Sequence, residues 1–325
     1  MGSRPSVVPA LRRLHAMPGV QVVATVTPPD KPKGRGSDPK PLLVKLAAEA
    51  SEIPVLQPPN LDGESILAEL ARLAPDVIVV AAYGKFLPKT VLELPPHGCL
   101  NLHPSLLPRH RGPSPVIAAI LEGDAVTGVS LMLMDEGMDT GPVIASAGMS
   151  LSGGETSGEL EDTLFEMGGG LLLDSLGPWV CGRLSVTPQD EALATVSRKF
   201  KRSHGIDWSV PAETIARRCR AFYPRPGSHT QWNGRRLKLL SVSQAQDAPD
   251  SPGVVGRVVM QGPLGGLKVE TGRGTLSLDL VQLEGGKAVS GCDFVNGHPG
   301  IIGAILKTRN RSVRGRNCEE NGDQD

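Results

Sequence analysis

At 325 residues the chain has room for two domains, each with its own core. Its 34 Lys and Arg residues balance 34 Asp and Glu residues, so no global field announces a partner and any affinity for nucleic acid must come from local patches. Cys99, Cys181, Cys219, Cys292 and Cys318 are scattered without a CxxC pair, which argues against a zinc site or a disulfide framework, and no apolar run suffices for a signal peptide or a membrane span.

The β-branched run Val20 to Val26 lies between Pro18-Gly19 and Pro28-Pro29 and predicts a buried strand followed by a sharp turn. Apolar positions at helical spacing predict helices over Lys40 to Ser51 and Glu64 to Leu73, with a short strand at Ile53 to Leu56 between them. Pro75 to Tyr83 is the strongest buried-strand pattern in the chain, and Gly98 to Leu102 is the next short strand along it. A helix over Pro115 to Glu122 and a strand over Gly128 to Met134 follow, and Thr156 to Leu176 reads as a long helix despite Gly168-Gly-Gly170, taken as packing glycines. Strands alternating with helices over roughly 150 residues predict a Rossmann-like, mostly parallel sheet covered on both faces.

The character changes near Pro188, where Arg198, Lys199, Lys201, Arg202 and His204 mark a basic, apolar-poor connector. Pro211 to Ala221 reads as a short helix. Arg236 to Val242, Pro252 to Val259, Gly266 to Glu270 and Thr275 to Leu283 then alternate with turn residues, as in a small OB-like β-barrel. Arg309 to Asp325, basic and then acidic with almost no apolar residues, reads as a disordered tail. The predicted division is a catalytic domain over 1–187, a linker over 188–205, a barrel domain over 206–308 and a tail over 309–325.

Two loops concentrate the chemistry. One is Asn101-Leu-His103-Pro-Ser105-Leu106-Leu107-Pro108-Arg-His-Arg-Gly112; the other is Asp135-Glu-Gly137-Met-Asp139-Thr-Gly141. Each adjoins a predicted strand, where α/β proteins place their reactive groups. Alternate residues of an extended segment point the same way, so Asn101 and His103 can face one cleft. An amide and an imidazole N–H suit an oxyanion, and a carboxylate suits proton transfer and orientation of the ring. Asp139 is preferred to Asp135 as that carboxylate, because Asp135 caps a turn in either reading. His110 lies in the same loop and could line the cleft.

These stretches resemble the folate-dependent formyltransferases and, within them, the methionyl-tRNA formyltransferase family. The resemblance runs from the first residues to about Leu306 and implies that Asn101, His103 and Asp139 are the catalytic trio. It implies 10-formyltetrahydrofolate as formyl donor, contacted by Ser105, Leu106, Leu107 and Pro108 and by the loop carrying Val80, Ala81, Tyr83 and Gly84, with no metal. Initiator methionyl-tRNA is the implied acceptor, held by the loop of Lys33 and Arg35 and by Arg198, Lys199, Lys201 and Arg202. Arg198 to Lys238 holds eleven basic residues against Asp207 and Glu213 alone, a local footprint for phosphate. A cytoplasmic monomer acting in translation initiation, with no membrane partner, is expected.

The chain departs from the family's pattern at its start. Met1-Gly2-Ser-Arg-Pro5 aligns with a turn that follows a first β-strand, so that strand is missing and Val20 to Val26 is expected to show an unpaired edge. A shortened chain or misplaced start codon is the expectation there. Two other readings stay open: a formyltransferase for a small amine or a 10-formyltetrahydrofolate hydrolase on the same scaffold, and an inactive RNA-binding protein of the OB type.

Overall fold

A computed structural model describes residues 1–32, 38–200, 204–245, 253–261 and 266–307. Lys33, Arg35, Lys201, Arg202 and the tail over 309–325 lie outside the described residues. The chain splits into two compact units: Met1–Lys201 with Arg220–Arg225, and Arg202–Cys219 with Pro226–Asp325.

The first unit opens with a 3-10 turn and helix α1 (Val8–Ala16), then β1 (Thr25–Val26), a small antiparallel pair β2 (Lys31–Pro32) and β3 (Pro39–Lys40), α2 (Leu43–Ala50), β4 (Val55–Leu56) and α3 (Glu64–Leu73). It continues with β5 (Ile78–Ala81), α4 (Lys89–Leu92), β6 (Cys99–His103), α5 (Pro115–Glu122), β7 (Val126–Leu133), β8 (Val143–Ser150) and α6 (Ser157–Val180). The long strand expected over Val20 to Val26 shrinks to two residues paired in parallel with β4. Strand β8 has no counterpart in the sequence reading: its small residues alternate exposure without an apolar run.

The sheet is parallel where β5 meets β6 and antiparallel across β6, β7 and β8. The edge expected beside β1 is partly occupied. Gly2 N–H donates to Val26 O at 3.1 Å, while Ala81 N–H donates to Met1 O at 2.9 Å, so Met1 and Gly2 bridge β1 and β5.

Side chains alternate across this sheet as extended geometry requires. Leu100 and Leu102 of β6 join Val129 and Leu131 of β7 in a core completed by Ala10, Phe165 and Leu172 from α1 and α6. On the other face Ile78, Val80 and Cys99 pack with Ile66, Leu70 and Val91. Gly168 and Gly169 are buried packing positions: a Cβ on Gly168 would meet Val129 Cγ2 at 3.1 Å, and one on Gly169 would meet Ala10 Cα at 3.5 Å. Helix α6 begins in a capping box, with Thr156 accepting from Glu159 N–H while the Glu159 carboxylate accepts from Thr156 N–H.

The second unit contains β9 (His204–Gly205), the Ala212–Cys219 part of α7 (Ala212–Phe222), β10 (Ser228–Trp232), β11 (Arg235–Gln244), β12 (Val258–Gln261), β13 (Gly266–Glu270), β14 (Thr275–Leu283), β15 (Ala288–Ser290) and α8 (Gly291–Gly297). Its sheet order is β12-β13-β14-β11-β10-β9, with β15 also on β14. Gly303 to Lys307 hydrogen bonds to Gly256 and Val258 on one side and to Gln231 of β10 on the other. One short segment thus joins the two borders of the sheet, over a core of Trp208, Ile215, Leu237, Leu267, Leu278 and Phe294. Among the described residues no helix is long and apolar enough to cross a membrane.

Candidate active site

Strands β5 and β6 run in parallel register, Val80 beside Asn101 and Ala81 beside Leu102. Their C-terminal ends therefore deliver two loops to one end of the sheet, the usual place for a ligand in an open α/β fold. Asn101 and His103 share the face opposite Leu100 and Leu102, and both are buried. Asp139 arrives in the loop between β7 and β8, with its side chain 18% exposed.

The three side chains converge. Asn101 Nδ2 donates to Asp139 Oδ1 at 3.2 Å, and Gly112 N–H donates to Asp139 Oδ2 at 2.8 Å. His103 Nδ1 stands 3.6 Å from Asp139 Oδ2. The other ring nitrogen, Nε2, lies 2.9 Å from the carbonyl of His110, and a carbonyl can only accept. Nε2 therefore carries a hydrogen and the neutral ring keeps its lone pair at Nδ1. This changes the role read from sequence: an N–H from His103 into the cleft requires the charged imidazolium, with Asp139 beside it.

Asp139 sits at φ +57°, in the left-handed region that few non-glycine residues enter and that Asp tolerates better than most. Next in the loop, Gly141 is required by contact, since a Cβ there would lie 1.9 Å from Leu133 O. Asp135 accepts from Gly137 N–H and from the Thr140 hydroxyl, the turn-capping role expected of it.

His110 does not line the cleft. Its ring is buried and pairs with Asp124 at 2.7 Å, and only its carbonyl serves His103. His110, Glu122 and Asp124 are close enough to share an ion, but Arg109 already pairs with both carboxylates, at 3.2 and 2.7 Å.

The residues expected to contact folate divide. Ser105 is fully buried and its hydroxyl donates to Arg109 O at 2.6 Å, so it closes its own turn. Leu106 packs toward Gly128, while Leu107 and Pro108 follow in the same partly buried turn. Val80, Ala81 and Tyr83 are buried in the cores flanking the sheet, which leaves Gly84 and Phe86 as the exposed part of that loop. Burial raises the Tyr83 phenol above its ordinary pKa, consistent with an uncharged side chain packed among hydrocarbon. Arg198 and Lys199 are exposed, the Arg198 guanidinium lying over the Phe200 ring at 5.3 Å.

The sequence reading missed the segment that lies on these loops. Residues 187–197, in part assigned by composition to an exposed linker, hydrogen bond to Pro108, Arg111, Asp139, Gly141 and Val143. Arg111 N–H donates to Thr195 O, Ser197 N–H donates to Arg111 O, and His110 N–H donates to Thr195 Oγ1.

Comparison with known proteins now decides the family. The formyl transferase family model matches residues 6–176, and the formyl transferase C-terminal domain model matches 200–299. The chain is 44% identical over 300 residues to a methionyl-tRNA formyltransferase of Chloroflexus aggregans, covering 91% of this chain and 96% of the relative. It is 45% identical over 278 residues to that of Myxococcus xanthus, covering 85% of this chain and 88% of the relative. The chain belongs to the methionyl-tRNA formyltransferase family. It is accordingly a transferase of one-carbon groups.

Solved structures agree on the fold. WlaRD, a sugar 3N-formyl transferase, aligns with a TM-score of 0.60 at 17% identity, covering 85% of this chain and 94% of that one. HypX from Aquifex aeolicus, solved with tetrahydrofolic acid, aligns at 0.56 and 20% identity, over 76% of this chain and 43% of that one.

Proposed function

We propose that this protein transfers the formyl group of 10-formyltetrahydrofolate to the α-amine of initiator methionyl-tRNA, with Asn101, His103 and Asp139 as the reacting centre. The observation that carries this reading is the convergence of Asn101 and His103 on the Asp139 carboxylate, 3.2 Å from Asn101 Nδ2 and 3.6 Å from His103 Nδ1. In the reaction the neutral amine attacks the formyl carbon, its C–N bond forms, and the bond from formyl carbon to the donor nitrogen breaks. The proton lost by the amine ends on the donor nitrogen. The two-residue relay for it is His103 Nδ1, which has the open lone pair, and Asp139, whose carboxylate stands 3.6 Å from it. The second N–H of Asn101, free of Asp139, is the donor for the oxyanion of the tetrahedral intermediate.

The donor is held by apolar and main-chain groups around Gly84 and the Leu106–Pro108 turn, with no metal called upon. The acceptor stem is gripped by Lys33, Arg35, Arg198, Lys199, Lys201 and Arg202, which form two basic stretches of sequence on a chain of zero net charge. One chain supplies the whole trio, so a monomer suffices, and the cytoplasm holds its acceptor. The division into a catalytic domain over 1–187, a linker over 188–205, an OB-like domain over 206–308 and a tail over 309–325 belongs to the same proposal, with the first part of the linker tied to the catalytic loops through Gln189, Thr195 and Ser197.

The test is to mix the protein with the formyl donor and compare charged initiator tRNA, charged elongator tRNA, a small amine and water. Formylation confined to the initiator is expected. Release of formate, or equal transfer to the small amine, overturns the reading. Affinity for tRNA should fall with salt, with each phosphate contact adding about 0.7–0.9 to the log–log slope.

A further inference from the structure

We propose that Gln189 is a positioning residue, which with Arg111 holds the Asp139 loop in its reactive geometry; the inference rests on the reading of Asp139 as part of the reacting centre. Gln189 Nε2 donates to Asp139 O at 2.9 Å and to Gly141 O at 2.6 Å. Gln189 Oε1 accepts from Arg111 Nε at 2.9 Å. Carbonyls only accept and a guanidinium only donates, so no other orientation of this amide satisfies all three contacts. The amide joins the loop of His103 to the loop of Asp139 through Arg111 and main-chain carbonyls, without touching a side chain of the trio.

Arg111 anchors the arrangement. Its side chain is 5% exposed, and its Nη1 and Nη2 pair with both oxygens of Glu191 at 2.9 and 2.7 Å, two residues beyond Gln189. The hydrogen bonds to Glu191 raise the Arg111 pKa further, so the fork stays charged. Arg111 is also the neighbour of Gly112, whose N–H binds Asp139 Oδ2. The carboxylate is thus held at its side chain by Gly112 and at its backbone by Gln189, and both reach Arg111.

What needs holding is visible in the backbone. Asp139 at φ +57° is in the left-handed region, which costs energy for a residue with a Cβ even though Asp tolerates it better than most. Two hydrogen bonds from one amide to the carbonyls of residues 139 and 141 impose that turn from outside. Without them the loop can relax, and displacement of a reacting group by about 1 Å costs on the order of 100-fold in rate.

The experiment uses the full chain with methionyl-tRNA and the formyl donor, and compares Gln189→Met, Gln189→Glu, Asp139→Asn and the Gln189→Met/Asp139→Asn double variant. Gln189→Met should lower kcat by about 10- to 100-fold, with KM for methionyl-tRNA held within about threefold. Gln189→Glu keeps the acceptor for Arg111 but loses the donor, so it should be as slow as Gln189→Met. The double variant should be little slower than Asp139→Asn alone, because a residue acting through Asp139 has nothing left to position. Recovery of kcat in Gln189→Glu, or losses that multiply in the double variant, would reduce Gln189 to a tie for Arg111 and overturn the proposal. A slow Asp139→Asn beside a Gln189→Met of normal kcat sinks this proposal alone. A normal Asp139→Asn sinks the reading of Asp139, and this inference with it.

Discussion

His103 Nε2 donates to the carbonyl of His110 at 2.9 Å, and this one contact decides which face of the imidazole is available to substrate. Nδ1 is left pointing at Asp139, in a burial that excludes bulk water from the ring.

Replacing His103 by Ala should lower turnover by roughly 10²–10⁴, the range for a positioned acid or base, while tRNA binding stays near that of the parent. Asp139→Asn should match it, since an amide cannot take up or pass on the proton. Single-turnover rates measured beside tRNA affinity check both. Turnover within a few-fold of the parent would remove the pair from the reacting centre.

Asn101→Ala removes one N–H from the oxyanion of the proposed reaction and one from Asp139. A loss of roughly 10²–10³ in kcat is expected, with little change in donor affinity. A fall in melting temperature large enough to explain the lost activity would make Asn101 a structural residue instead.

Gly141→Ala tests the loop without touching a reacting group. Its Cβ would meet Leu133 O at 1.9 Å, far inside contact distance, so the backbone must shift. Both kcat and thermal stability should drop, by at least about 1–3 kcal/mol for the latter, as for other small-to-large substitutions in packed sites. An active, equally stable variant would show the loop to be pliable.

The second unit carries a pH dependence. Burial, and then the Arg236 guanidinium, hold the His229 imidazole below its ordinary pKa. The unfolded chain therefore binds more protons than the folded one just below neutrality, and stability rises with pH there. The loss should set in as pH falls through the ordinary value of about 6.5, and His229→Gln should flatten melting temperature between about pH 7 and about pH 5. An unchanged slope would place the titration elsewhere.

How legible this was in the sequence depended on whether local pattern and final packing agreed. Helix α3 stands where its apolar spacing put it, because Ile66 and Leu70 pack with Ile78 and Val80 while Glu64, Ala68 and Arg72 meet water. Helix α5 also stands where it was read, though nearly all of it is buried, with Val116 and Ile120 against Leu160 and Leu164 of α6. Asn101, His103 and Asp139 were legible because turn chemistry marks the loops that hold them. Gln189 left no signal: it sits in a polar stretch after Pro188, and its importance comes from three contacts to residues distant in sequence. Tyr83 was assigned to the folate loop by resemblance alone, and nothing in its local sequence announced that its side chain is buried.

The Gly303 to Lys307 segment has a consequence for how the second unit resists pairing with other chains. Gln231 on β10 and Val258 on β12 both bond to it, and β9 covers Ser228 and His229, so neither border shows a long row of unused amides. A border of that kind is what fibrils and swapped dimers recruit. Peeling this one segment away would uncover both borders together, so the amides of Gln231 and Val258 should exchange with solvent through a single shared opening.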